Sequence, residues 1–389
     1  MILNVFRATL KLLAATLGAS IEISQEDRDA IRANLDGIYT YSKRNDMAHL
    51  VGHALVSHGL LGEEDGQFAL FEKQQLVAMF RQEGQDFELS RICETFEDEG
   101  IDFLPLKGSI MRGFYPEPWM RTSCDIDVLV KKEDFAKAKR CMLDTLKYKQ
   151  SRISSHDESF DTPGGVHIEL HFDLLEEGRA ERSEEIMRDV WENVKPIEGK
   201  THHMAMTDEL FYFYHIAHTA KHFEDGGIGV RAFLDLYLLL LDHSNDEKRE
   251  ELLARGGLVK FERVARELAL CWFDGGELDI LGQRAEVFVL RCGTYGAIEN
   301  SILLAKEKTG GKRGYLLSRI FMPYDSIKYA FPILIKHKWL MPFCQIARWF
   351  KLISPKEAKR AARQVKASNT LSDRDLRWMK SLMRDVGLK

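Results

Sequence analysis

The sequence predicts an α+β fold, a small mixed β-sheet core held between helical regions, and three observations support it. Residues 1 to 98 carry helical apolar spacing throughout, residues from Ile101 to about Phe172 change to short apolar runs separated by turns, and helical spacing returns after about residue 200. The 389 residues therefore divide into an N-terminal helical region (1–98), a core (99–200) and a C-terminal helical region (201–389).

Each element has its own signal. Leu3, Phe6, Leu10, Leu13 and Leu17 alternate three- and four-residue spacing, which makes one helical stripe; Arg7 and Lys11 interrupt it as a signal peptide. Ser24 with Asp27 three residues on starts a second helix, and Asn45-Asp46 precedes another from Met47 to Leu61. The string Gly62-Glu-Glu-Asp-Gly66 breaks the pattern before a long helix from Phe68 to Glu99, ended by Gly100. His49, His53 and His58, four and five apart, are expected to be solvated or interhelical rather than metal ligands.

The core begins with a strand at Asp102 to Lys107 and a short helix from Ser109 to about Tyr115, followed by a loop forced by Pro116 and Pro118. Arg121-Thr-Ser123 leads into a strand with Asp125 and Asp127, and Glu133 to Lys147 is an amphipathic helix burying Phe135, Ala138, Met142 and Leu146. One irregular strand from Lys149 to Phe160, a turn at Thr162-Pro-Gly-Gly165 and a strand from Val166 to Phe172 complete a hairpin. Beyond it, Thr207 starts a helix on which His215, His218 and His222 share a face beside Lys221. Gly226-Gly-Ile-Gly229 is a loop, and the next helix places Val230, Phe233, Leu234, Tyr237, Leu238 and Leu241 at core spacing, with Arg231 and Asp235 as an i,i+4 ion pair.

Composition narrows the class. Lys and Arg number 55 against 60 Asp and Glu, a net charge of -5 that gives no global attraction to nucleic acid. Six cysteines without a Cys-x-x-Cys pair are expected to be reduced thiols in a cytoplasmic protein. No apolar run reaches the length needed to span a bilayer, and Leu236 to Leu241 is far too short. From Lys312 to Lys366 basic residues outnumber acids, with Tyr324, Tyr329, Phe331, Trp339, Phe343, Trp349 and Phe350 interleaved. This region is expected to be helical surface packed on the core, with contact to an anionic membrane surface or to nucleic acid as the alternative.

The residues that carry chemistry lie in the core. Asp125 and Asp127, two apart on a strand, project from one face while Ile126 and Val128 face the other. Two buried carboxylates repel, and divalent cations relieve that repulsion; oxygen ligands favour Mg²⁺. Gly108-Ser109 lets backbone N–H groups and a hydroxyl approach phosphate. In Val166-His-Ile-Glu-Leu-His-Phe172, period two puts His167, Glu169 and His171 on one face, so Glu169 is a third metal carboxylate. The two histidines either position substrate and shuttle a proton or fix the carboxylates. A zinc hydrolase site at His167, Glu169 and His171 is the weaker alternative, since helical zincins need His-Glu-x-x-His.

Together, Leu-Lys-Gly-Ser109, Tyr115-Pro116, Arg121, Asp125-Ile-Asp-Val-Leu-Val130 and His167-Ile-Glu-Leu-His171 resemble the DNA polymerase β-type nucleotidyltransferase superfamily, and within it the largely uncharacterised bacterial NTP_transf_5 branch. The motifs occupy roughly residues 101 to 172, and the interval from Ser109 to Asp125 is longer than in many superfamily members. The resemblance implies transfer of a nucleoside monophosphate from an NTP, with ATP as the leading donor, to a hydroxyl or phosphate acceptor with loss of pyrophosphate. Asp125, Asp127 and Glu169 would be catalytic and hold two Mg²⁺ ions, with Mn²⁺ as a substitute. Lys107, Gly108, Ser109 and Arg121 would bind the nucleotide. The branch's His-x-x-Lys-His, Arg and Asp correspond here to His218, Lys221, His222, Arg231 and Asp235, which either set positive charge over the triphosphate or lock two helices together. A non-catalytic nucleotide-binding module of the same fold is the rival from another class. No residue selects the acceptor.

Overall fold

In a computed structural model of the chain, residues 2–174, 181–241, 246–294, 296–331, 333–351 and 371–388 are described. The N-terminal helices are α1 (Ile2–Thr16), α2 (Gln25–Arg32), α3 (Leu35–Arg44), α4 (Ala48–Ser57) and α5 (Phe68–Asp98). The core holds β1 (Phe103–Pro105), α6 (Gly108–Met111), β2 (Asp125–Val130), α7 (Phe135–Arg140), β3 (Lys149–Ile153), β4 (Asp157–Asp161) and β5 (His167–His171). After α8 (Glu181–Arg188) come the short strands β6 (Val194–Pro196) and β7 (Met204–Met206). Then come α9 (Asp208–Asp225), α10 (Arg231–Leu241), α11 (Asp246–Arg255), α12 (Val259–Phe273), α13 (Ile280–Leu290) and α14 (Ile298–Lys308). The last described helices are α15 (Lys312–Ile320), α16 (Tyr324–Ala330), α17 (Ile333–Lys336), α18 (Met341–Lys351) and α19 (Asp373–Asp385).

The predicted α+β class is the observed one. The main sheet has the order β1-β2-β5-β4-β3. β2 runs antiparallel to β1 and parallel to β5, which puts β2 inside the sheet between them. Where one irregular strand was expected between Lys149 and Phe160, the chain forms two, β3 and β4, paired antiparallel with a register shift between Gln150 and Arg152. Ser154 Oγ accepts from the backbone N–H of Asp157 and turns the chain between them, a local bond that a reading of apolar spacing does not register. The expected hairpin at Thr162–Gly165 is present, joining β4 to β5 with Asp161 opposite His167.

The Ser24 and Thr207 caps act where the sequence places them, whereas Asn45-Asp46 does not cap α4, whose N-cap is Met47 without a side-chain bond. Ser24 Oγ accepts from Asp27 N–H at 3.1 Å and Thr207 Oγ1 from Leu210 N–H at 3.4 Å. Gly100, at φ +63°, ends α5, and Ile101 N–H donates back to Phe96 O at 2.9 Å, turning the chain into β1. His49 is buried and donates to Met120 O at 3.0 Å, while His53 packs edge-on against Trp119, so both are interhelical.

The alternation along the strands separates the two faces of the sheet. Phe103, Ile126, Val128, Ile168 and Leu170 join Ile92 and Phe96 of α5 and Ala138 of α7 in one buried cluster. Leu104, Leu106 and Leu129, on the opposite face, belong to a larger cluster that includes α1, α4, α9, α10 and α12. The acids of β2 and β5 emerge on that second face, under α9 and α10. On the predicted apolar stripes, Leu3 and Leu241 are exposed rather than buried, as both lie at helix ends. A third, small cluster of Ile327, Leu334 and Cys344 sits under α16 to α18. Among the described residues no helix is long and apolar enough to cross a membrane.

Candidate active site

Asp127 lies opposite Glu169 in the parallel β2–β5 register, and Asp125 lies opposite His167. Because β2 is an inner strand, Asp127 is only 3 % exposed. Its Oδ1 accepts from Lys107 Nζ at 2.7 Å and from His171 Nε2 at 2.8 Å. His171 Nε2 is also 3.5 Å from Glu169 Oε2. One ligand atom each from Asp127, Glu169 and His171 can be chosen so that all lie within 4.8 Å of one another. Burial alone would raise the Asp127 carboxyl, yet Lys107 and His171 hold it well below the usual carboxylate range. Burial and Lys107 oppose protonation of His171, but the bonds to Asp127 and Glu169 raise its imidazole above its usual range. Asp125, nearer the rim, is pushed up to about 6 by burial and by the neighbouring Asp127 charge.

Lys107 reaches this position through an uncommon backbone. Its φ of 44° and ψ of -115° lie outside the regions a side chain ordinarily favours, at the turn from β1 into α6. The next residue must be small: a Cβ on Gly108 would stand 2.9 Å from Ser123 Cβ. Ser123 Oγ in turn donates to Asp125 O at 2.9 Å and accepts from Arg112 Nη2 at 2.8 Å, fastening the loop that precedes β2.

A cleft of about 330 Å³ opens over these residues, within the size range of small-molecule sites. Lys107, Gly108, Asp125, Asp127, Glu169 and His171 line its sheet side; Tyr214, His218, Lys221 and His222 of α9 line the helical side. Arg121, Arg231 and Asp235 also border it. Ser109 does not line the cleft, and its Oγ is buried without a hydrogen bond. Burial, with His222 and Lys107 nearby, pushes the His218 imidazole well below its usual range. His218 and His222 approach Nε2 to Nε2 at 3.1 Å.

The expected Arg231–Asp235 pair is replaced by two others. Arg121 grips Asp235 with Nε on Oδ1 and Nη2 on Oδ2, each at 2.8 Å, and Tyr115 donates to Oδ1 at 2.8 Å. Arg231 donates to Asp46 Oδ2 at 2.7 Å and to Thr122 O at 3.1 Å. Both side chains reach away from their own helix, Asp235 to the 115–122 loop and Arg231 to Thr122 of that loop and to Asp46 of the N-terminal region. All five residues of the helical motif border the cleft, and Arg231 and Asp235 in addition join α10 to other segments.

Sequence spacing missed His156. It forms a second potential ligand group with Asp157 and His171, and its ring is 5.7 Å from that of His171. Its position inside the Ser154–Asp157 turn, which apolar spacing does not register, hid it. The set His167, Glu169 and His171 does not assemble as a zinc site among the described residues, since His167 Nδ1 bonds Asp161 Oδ1 at 2.7 Å and its Nε2 is 3.9 Å from Glu169.

A parallel pair of strands bearing Asp125, Asp127 and Glu169 on one face, beside a Lys-Gly-Ser turn into a helix, is the arrangement expected of a nucleotidyltransferase core. Residues 32–274 match the model of the family NTP_transf_5, described as an uncharacterised nucleotidyltransferase, and the chain belongs to that family. No curated protein matches the chain.

Proposed function

We propose that the protein is a metal-dependent nucleotidyltransferase that moves a nucleoside monophosphate from an NTP to a hydroxyl or phosphate acceptor and releases pyrophosphate. The observation that carries this reading is the register of Asp127 against Glu169, which puts two acids and His171 around one point on the cleft floor. The donor set fits a hard divalent cation: it offers carboxylate oxygens, and Lys107 and His171 both bond the same Asp127 oxygen, leaving Oδ2 outside those two bonds. Asp125, Asp127 and Glu169 would hold the ions, which when bound supply Lewis-acid polarisation of the phosphate and a more acidic acceptor oxygen.

The chain's own groups account for the remainder. Glu169, less buried than Asp127, would accept the acceptor's proton. Gly108 would let the backbone approach the triphosphate. Lys107 would exchange its Asp127 partner for phosphate oxygens, and Lys221 would add charge from the helical side. Arg121, held by Asp235, would shape the wall. ATP is the proposed donor. The test is the mass increment on candidate acceptors incubated with each NTP and Mg²⁺ or Mn²⁺. A nucleoside monophosphate increment is expected, and pyrophosphate release that persists in Asp127→Ala would sink the assignment.

A second reading, a nucleotide-binding module without turnover, is favoured by one feature: Lys107 and His171 already neutralise Asp127. It predicts tight NTP binding by calorimetry with no pyrophosphate released toward any acceptor.

A further inference from the structure

The segment from α15 to α18 buries little of its apolar surface. Its own cluster has three buried members, Ile327, Leu334 and Cys344. One side of α18 is fastened to the last turn of α15 and to Met322 just beyond it: Arg348 Nη2 donates to Arg319 O at 2.8 Å, Trp349 Nε1 to Ile320 O at 2.8 Å, and Gln345 Nε2 to Met322 O at 2.6 Å. Another side is bare. Trp339 (70 % exposed), Phe343 (63 %), Ile346 (46 %) and Phe350 (69 %) succeed one another at spacings of four, three and four, which aligns them as one stripe along the 338–340 turn and α18.

Charge selects the partner. From Ser326 to Phe350 the sequence contains no Asp or Glu, while Lys328, Lys336, Lys338 and Arg348 are present; Lys336 and Lys338 are exposed immediately before the stripe. We infer that this face docks on an anionic lipid bilayer, with Trp339, Phe343, Ile346 and Phe350 entering the interface and the exposed Lys336 and Lys338 meeting lipid phosphates. Nucleic acid would pair the same charge, but single-strand binding relies on aromatic stacking, and the exposed Ile333, Ile335 and Ile346 cannot stack on bases. A second copy of the chain would set like charges against each other. Surface docking also agrees with the absence, among the described residues, of a helix able to cross the membrane.

The experiment is co-sedimentation of the full chain with phosphatidylcholine vesicles made with and without phosphatidylglycerol, at low and high salt. Binding is expected to be at least about tenfold stronger with the anionic lipid and to weaken with salt. Phe343→Ser/Phe350→Ser should lower it at least about tenfold by removing buried apolar area, and Lys336→Glu/Lys338→Glu by a similar factor. Circular dichroism checks that both variants keep the fold, as expected for exposed positions. Failure to bind either vesicle overturns the proposal, as does equal binding by all three proteins. Vesicle binding absent beside tight oligonucleotide binding, or beside a self-association abolished by Phe343→Ser/Phe350→Ser, assigns the face to nucleic acid or to a second copy and overturns it too.

Discussion

On the sheet side of the cleft, Asp127 shares one oxygen between Lys107 and His171, and Glu169 stands beside them. On the helical side, Asp235 gives both oxygens to Arg121 and one of them also to Tyr115. Both acids are buried to within 3 % of complete, yet their surroundings differ in kind. Asp127 faces the cleft with like charges nearby, so a cation entering there gains by relieving repulsion. Asp235 is matched by a bidentate guanidinium that ties the 115–122 loop to α10, and a ligand would have to break that geometry to use it. Burial of a carboxylate therefore does not by itself distinguish the two acids; the further acids on the same face as Asp127 do.

The largest effect that would break this contrast is on activity. Asp127→Ala should lower NTP-dependent transfer by at least about a thousandfold, the scale expected when the charge-stabilising centre of such a site is lost. Steady-state pyrophosphate release measures it, and a small loss would place Asp127 with Asp235 as a structural acid. Next in size, Asp235→Ala should cost about 3–5 kcal/mol of folding stability by leaving Arg121 buried without its partner. Urea unfolding at neutral pH checks this, and a change below about 1 kcal/mol would mean that the pair contributes only as surface pairs do.

A smaller effect sharpens the sheet side. Asp125 binds its proton more tightly in the fold, at about 6, than at its ordinary value of 3.8. Between those values the folded protein holds more proton than the unfolded chain, so this group's contribution to stability falls as pH rises through the window and stays lost above it. Asp125→Asn should then be the more stable protein above pH 6 by about 3 kcal/mol in the presence of a chelator, converging on the parent toward pH 4. Thermal unfolding across that range reads the difference, and a constant offset would remove burial and the Asp127 charge as the cause. Smallest, Arg231→Ala should cost about 1 kcal/mol, since its partner Asp46 is about a third exposed. A loss equal to that of Asp235→Ala would show that the two pairs form one coupled network.

Much of the site was legible in the residues because period two is a rigid rule: once Asp125-Ile-Asp127 and His167-Ile-Glu169 are strands, their acids must share faces. The Ser24 and Thr207 caps and the Gly100 stop were legible for the same local reason. By contrast, the division of Lys149 to Phe160 into β3 and β4 rests on a turn around Ser154, and with it the position of His156 was lost.

Residue order alone thus settles local and periodic features: the α+β class, the strands that carry Asp125, Asp127 and Glu169, and the apolar faces that press them against α5 and α7. Which charges meet is settled by long-range packing. An i,i+4 rule pairs Arg231 with Asp235, but guanidinium and carboxylate reach several ångströms beyond their backbone, and partners at Asp46 and Arg121, brought close by the docking of the 115–122 loop, offered better geometry. The same packing set Lys107 and His171 on one oxygen of Asp127, because strand spacing fixes the face a side chain takes and the register between strands fixes its neighbour.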